Sequence, residues 1–343
     1  MAEQEPERPG LGQVIKVPEF DLPFASKIHP DRDSLLEQTS QWAVATGLVP
    51  DQAAAARLRR SGIMSVGPRL VPGASTGAAC LTCDWTAFLF VIDDEFDDGA
   101  ELGGQPELAR AAIEDVIGSF RGQAPGHAAR FPHMAGINAA AADLGRRFEA
   151  QPASTAWLAR FRRQAEDHIW SKVTEAQHRA AGGSLDVPSY VALRRITSGA
   201  YVYSELVEMT AQAPVTERVR ESSAWGRMLD AAADAWLGIQ DICSCAKEVA
   251  AGDDLNLAAV MARSTRSTLQ QAIDDAYQWV CRRSADFADQ RAQFDGPPRY
   301  PAPDDTAETG TARYLSALDE LIGGHLTWSS QDNPRYAQAK LST

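Results

Sequence analysis

Apolar positions along this chain recur every three or four residues, the spacing of helices buried along one face. No run alternates with the two-residue period of a half-buried strand, and no repeat or low-complexity tract appears. Residues 1–33 carry Pro6, Pro9, Pro18, Pro23 and Pro30 and read as an extended lead-in. Asp33 or Ser34 is expected to cap a helix running to Gly47, and Pro50-Asp51 opens a second over 52–61. The most apolar segment spans 75–98, and a Gly-rich break over 99–105 follows it. Helices are expected over 106–120, 135–150 and 155–181, with a loop over 122–133. Pro188 starts another, which meets Ser198-Gly199 partway along. Long helices are expected over 221–251, 264–294 and 312–328, with a loop over 301–310. About ten helices without a Pro/Ser linker predict an all-α, single-domain helical bundle over 1–343, with 330–343 as a C-terminal segment. Such a bundle builds its ligand site in a cavity between facing helices.

Composition narrows the function. At 343 residues and 44% hydrophobic content the chain can bury a large core. The formal net charge of −13, with no Lys/Arg run, argues against a nucleic-acid surface, and any anionic substrate would need local cations. The first ten residues are polar, so no secretory signal is expected. No stretch reads as approaching the ~18 apolar residues of a membrane span. Cys80, Cys83, Cys243, Cys245 and Cys281 are expected to be reduced thiols. Cys80 and Cys83 lack a second pair or a suitably spaced histidine, so a metal or redox role is not expected. The expected location is the cytoplasm.

Chemistry enters where the most apolar segment ends. After Phe88, Leu89 and Phe90 come Asp93, Asp94, Glu95, Asp97 and Asp98, and the nearest basic residue upstream is Arg69. On a helix Asp93 and Asp97 lie about 40° apart on one face. Two hard oxygen ligands at the mouth of an apolar channel suit a hard divalent cation that keeps some water and also binds phosphate. The bland alternative, an acidic helix C-terminus, opposes the helix dipole, and such a cluster is expected to cost stability unless a metal offsets it.

A second constellation lies within 221–251. Gln240, Ser244 and Glu248 stand at i, i+4 and i+8, one stripe carrying an amide, a hydroxyl and a carboxylate, with Lys247 beside it. The stripe reads equally as a chelate for a further divalent ion or as a polar helix face.

Together the two constellations resemble the bacterial class I terpene cyclases. Asp93, Asp94 and Asp97 match that family's DDxxD motif. Asp241, Ser244, Lys247 and Glu248 match its Asn-Asp-x-x-Ser-x-x-x-Glu motif, with Gln240 in place of the Asn. The segment from Gly252 to Asn256, the stretch from Phe20 to Phe24 with Trp42, the run from Tyr190 to Gly199, and Trp328 followed by Arg335-Tyr336 extend the resemblance over nearly the whole chain. Chain-elongating prenyltransferases carry two Asp-rich motifs, and this chain has one.

The resemblance implies a Mg²⁺-dependent ionisation of a linear isoprenyl diphosphate, followed by cyclisation of the carbocation. It implies three Mg²⁺, held by Asp93, Asp94, Asp97, Gln240, Ser244 and Glu248, with Asp93 the firmest ligand. Arg194, Lys247, Arg335 and Tyr336 would hydrogen-bond the diphosphate, Arg194 being preferred to Arg195 by its distance from the second motif. A break at Ser198-Gly199 would present a free carbonyl to the cavity, linked to Arg194 through Thr197 or Ser198. Leu89 and Phe90, with Thr86, Tyr203, Ala233, Trp236 and Trp328, are candidate walls for the hydrocarbon. Farnesyl diphosphate is the expected substrate. The small Ser198, Gly199 and Ala200 leave geranylgeranyl diphosphate as the alternative, and a non-catalytic prenyl diphosphate-binding protein is the alternative from another class. A homodimer is in keeping with the family, and the six histidines are expected to be structural or at the surface.

Overall fold

The computed structural model describes residues 15–97, 100–253, 255–294 and 305–337. These are helical throughout, with no strand among the described residues. The main elements are α1 (Arg32–Ala45), α2 (Gln52–Arg60), α3 (Thr76–Asp97), α4 (Pro106–Phe120), α5 (Ala135–Glu149) and α6 (Thr155–Ala181). They continue as α7 (Val187–Thr197), α8 (Ala200–Thr210), α9 (Ser223–Ala251), α10 (Leu257–Thr265), α11 (Leu269–Arg291) and α12 (Asp305–Thr327). A π-helical turn, Trp328–Asp332, and a short helix, Pro334–Ala337, close the described chain.

Local chemistry sets most boundaries. Asp51 caps α2, Ser154 caps α6, Asp186 caps α7 and Ser222 caps α9, each accepting a backbone N–H of the first turn. Four expectations are corrected. The N-cap of α1 is Asp31, which makes no side-chain cap bond, and Asp33 sits in the first turn. The helix read over 264–294 starts later, at Leu269, where Thr268 and Gln271 form a capping box for α11; before it lies an unexpected helix, α10, capped by Asn256 and ended by Arg266 at φ 54°. The loop read over 301–310 is helical from Asp305. The Gly-rich break over 99–105 holds one helical turn, Ala100–Gly103.

Helix α3 occupies the middle of the bundle. Trp85, Phe88, Ile92 and Phe96 are buried, and Trp85 packs 5.7–5.8 Å from the rings of Phe88, Phe120, Phe148 and Phe161. Gly145 lets α5 press onto the end of α4, since a Cβ there would fall 2.0 Å from the Phe120 carbonyl oxygen. Residues Thr76–Phe96 are long and apolar enough to cross a membrane, a property the sequence reading had denied to every segment. Their burial among neighbouring helices makes this stretch the bundle's core helix instead. The C-terminal halves of α3 and α6, with α7, α9 and the short final helix, gather at one end around a cavity.

Candidate active site

The acidic end of α3 does not stand uncompensated. Lys172 Nζ lies 3.0 Å from Asp93 Oδ1, and Arg335 donates to Asp94 Oδ1 at 3.1 Å. His133 lies 3.4 Å from Glu95. Arg179 donates to the carbonyls of Phe96 and Gly103, at 3.4 Å each, and so answers the negative pole of the helix. The expectation that only a metal could offset this cluster is therefore corrected: protein cations arrive from α6 and from the C-terminal segment. The side chain of Asp97, and Asp98 altogether, lie outside the described residues.

Lys172, Glu175 and Arg179 were missed by sequence reasoning, though a signal existed. Positions 161, 165, 168, 172, 175 and 179 follow the 4-3-4-3-4 spacing of one buried stripe on α6. Phe161 and Ala165 fill its first half, and charges occupy its last three places. Charged residues at core positions mark either ion pairs or a site.

The second constellation faces the same cavity as the first. Gln240 and Glu248 on α9 line it together with Asp93 and Asp94 on α3. Lys247, Arg194, Arg335 and Tyr336 line it too, as do Lys172, Glu175 and Arg179. Ser244 is not on the wall: it is wholly buried beneath Glu248 and hydrogen-bonded to it. Asn256, the cap of α10, donates to Glu248 Oε2 at 2.8 Å. Burial and the nearby Asp241 push the Glu248 carboxyl up to about 7, against the pull of Arg194, Asn256 and Ser244.

Asp241 is the anchor of this wall rather than part of it. Fully buried, it accepts from Tyr190 Oη at 2.6 Å, Arg194 Nε at 2.9 Å and the Leu257 amide at 2.9 Å. Arg194 also donates to Thr197 Oγ1 at 3.3 Å. Its neighbour Arg195 turns elsewhere, gripping Asp234 with two hydrogen bonds of 2.7 and 2.9 Å. One helical step, about 100°, separates an arginine on the cavity from one in a structural clamp.

The helix break falls at Gly199, at φ 75°, a conformation that costs glycine little. The expected free carbonyl is not there: Ser198 O accepts from Trp236 Nε1 at 3.2 Å. Neither Ser198 nor Gly199 lines the cavity; Gly199 faces His168 and Tyr203. The reason is that the Trp236 indole reaches across from α9 and fills the break. Leu89 is likewise packed in the core, whereas Phe90 is on the wall. From Phe90 a row of rings runs inward. Trp328 lies 5.7 Å from Phe90 and 6.2 Å from His325, His325 stacks on Trp236 at 3.7 Å, and Trp236 on Tyr203 at 5.3 Å. Burial, reinforced by Arg194, lowers His325 to about 3, so it is neutral.

The donor set fits a hard divalent cation. It is all oxygen, and Glu248 gains from a cation that would keep it ionised. Among the described residues no three carboxylate, histidine or thiol groups form a ready cage. Mg²⁺ needs none, since it binds through one or two carboxylates together with water and phosphate oxygens.

A family model described as terpene synthase family 2, C-terminal metal binding, matches residues 84–286. (+)-Eremophilene synthase of Sorangium cellulosum is 28% identical over 310 residues, covering 90% of both chains. (+)-T-muurolol synthase ((2E,6E)-farnesyl diphosphate cyclizing) of Roseiflexus castenholzii is 27% identical over 308 residues, again covering 90% of each. In fold, germacradien-4-ol synthase from Streptomyces citricolor superposes with a TM-score of 0.77 at 22% identity, over 91% of this chain and 98% of that one. The match spans both oxygen-bearing helix faces of the cavity, and the chain belongs to the class I terpene synthase family.

Proposed function

We propose that the chain is one catalytic domain that ionises a linear isoprenyl diphosphate with Mg²⁺ and cyclises the carbocation to a terpene, releasing diphosphate. The observation that carries this reading is the convergence of Asp93 and Asp94 with Gln240 and Glu248 on one cavity that Lys172, Arg179, Arg194, Lys247 and Arg335 also line. Asp93, Asp94, Asp97, Gln240 and Glu248 would hold the metal ions, with Ser244, read from the sequence as a further ligand, hydrogen-bonding Glu248 from the buried side. When bound, Mg²⁺ supplies the positive charge that neutralises the departing diphosphate.

The chain's own residues do the rest. Arg194, held in place by Asp241, offers its remaining N–H groups to phosphate oxygens, as does Lys247. Arg335 and Tyr336 sit on the segment that covers the mouth, where they bind diphosphate and exclude water. Burial raises the Tyr336 hydroxyl well above its usual range, so it stays a donor. Phe90, on the cavity wall, offers an aromatic face to a cation, and the row of rings behind it packs the inner end.

Farnesyl diphosphate is the favoured substrate. The Roseiflexus relative is named for cyclising it. The argument for a longer chain rested on Ser198, Gly199 and Ala200, none of which is on the cavity wall. Unpaired thiols at all five cysteines suit a reducing compartment such as the cytoplasm. Incubating the protein and Mg²⁺ with C10, C15 and C20 diphosphates, with analysis of volatiles, tests the reading. The expected result is a cyclic C15 product, and no terpene from any of the three refutes it.

A further inference from the structure

We propose that Lys172 is a diphosphate-binding residue of this site and the internal competitor of the divalent cation at Asp93, an inference that rests on the function proposed above. The ammonium lies 3.0 Å from Asp93 Oδ1 and donates to Glu175 Oε2 at 2.8 Å. It borders the cavity although the side chain is only 4% exposed. Burying an ammonium is costly unless carboxylates face it, and here two do. Asp93 thus already has a cation beside an oxygen that a metal ion would take. A divalent ion in contact with Asp93 would meet the ammonium a few ångströms away, and the repulsion drives Lys172 off.

Glu175 decides where Lys172 goes. Its carboxyl is nearly as buried as the lysine and holds the ammonium on the same stretch of α6, so the displaced group stays charged and inside the cavity. Burial pushes the Glu175 carboxyl up, but Lys172 outweighs it and brings the group to about 2, so the carboxylate stays ionised beside the ammonium. Lys172 then keeps Glu175 and still borders the cavity. The open space before it lies between the two oxygen-bearing faces, where a diphosphate bridging them must sit. Arg179, two turns further along α6, also borders the cavity and is held by the Phe96 and Gly103 carbonyls and by Asp253. In the empty site Lys172 therefore stands in for the metal's charge, and in the loaded site it adds to it.

Two binding measurements without turnover test this. Wild type, Lys172→Met and the charge-matched double variant Lys172→Met/Glu175→Gln are titrated with Mn²⁺ alone, followed by electron paramagnetic resonance. They are then titrated with inorganic diphosphate at saturating Mg²⁺, followed by calorimetry. The expected result is Mn²⁺ binding at least fivefold tighter and diphosphate binding at least tenfold weaker, in Lys172→Met or, if that variant does not fold, in the double variant. Lys172→Arg should keep diphosphate affinity within threefold of wild type. A lysine that only supports the fold would weaken both affinities together. Unchanged or weaker Mn²⁺ binding in a folded variant, or unchanged diphosphate binding, overturns the proposal. Wild type that binds neither Mn²⁺ nor diphosphate refutes the functional reading itself, and the proposal falls with it.

Discussion

Helix α6 runs between two buried charge clusters. Near its start Arg160 reaches Glu205 at 3.3 Å and Glu208 at 2.9 Å, and Arg220 contacts the same two carboxylates. Roughly 18 Å further along, at 1.5 Å per residue, Lys172 and Glu175 meet Asp93. In the first cluster each carboxylate has two arginines, and Arg160 and Arg220 are only 14% and 6% exposed. In the second the acids open on a cavity, and burial with the nearby Asp241 holds Glu248 at about 7 despite Arg194. A closed, matched cluster holds helices together. An open cluster with an excess of oxygen is stabilised by whatever cation enters it, and this difference separates scaffold from site more clearly than charge density does.

Substitutions should break the two clusters differently. The largest effect is expected from Asp93→Ala, which should lower kcat/KM by roughly a thousandfold or more, because it removes a ligand of the ions that stabilise the leaving group. Full activity in that variant would refute the metal assignment. Asp241→Asn should cost roughly ten- to a hundredfold in kcat/KM, because an amide N–H₂ cannot accept from both Tyr190 and Arg194. Arg160→Met should act the other way: a loss of about 3 kcal/mol in stability, seen in chemical denaturation, with kcat unchanged for the folded protein. A fall in kcat there would mean that the matched cluster is part of the site. Gln240→Asn should move turnover least, keeping it within about threefold or raising it, since one methylene is removed and the amide oxygen is kept. Abolished turnover in Gln240→Asn would show that the longer side chain is required.

Much of this was legible in the chain. The carboxylates ending α3 and the i, i+4, i+8 stripe on α9 stood out because each is local to one helix. What escaped was set by contacts between distant segments. Lys172 and Glu175 look like surface charges until the stripe through Phe161 and Ala165 is followed to its end. The Ser198 carbonyl is occupied by Trp236, from a helix whose approach no local pattern announces. Ser244 sits under Glu248 rather than beside it, because the stripe tilts into the bundle as it passes Asp241. The division between α10 and α11 turned on Arg266 adopting a positive φ, a conformation more often taken by glycine or asparagine.

The central claim is that the oxygen-bearing faces of α3 and α9 share one diphosphate through divalent ions. Anomalous diffraction from crystals grown with Mn²⁺ and inorganic diphosphate tests it most directly. The account predicts Mn²⁺ peaks at Asp93 and at Gln240–Glu248, all in contact with a single diphosphate. Ions confined to one face, or a diphosphate bound away from both, would contradict it.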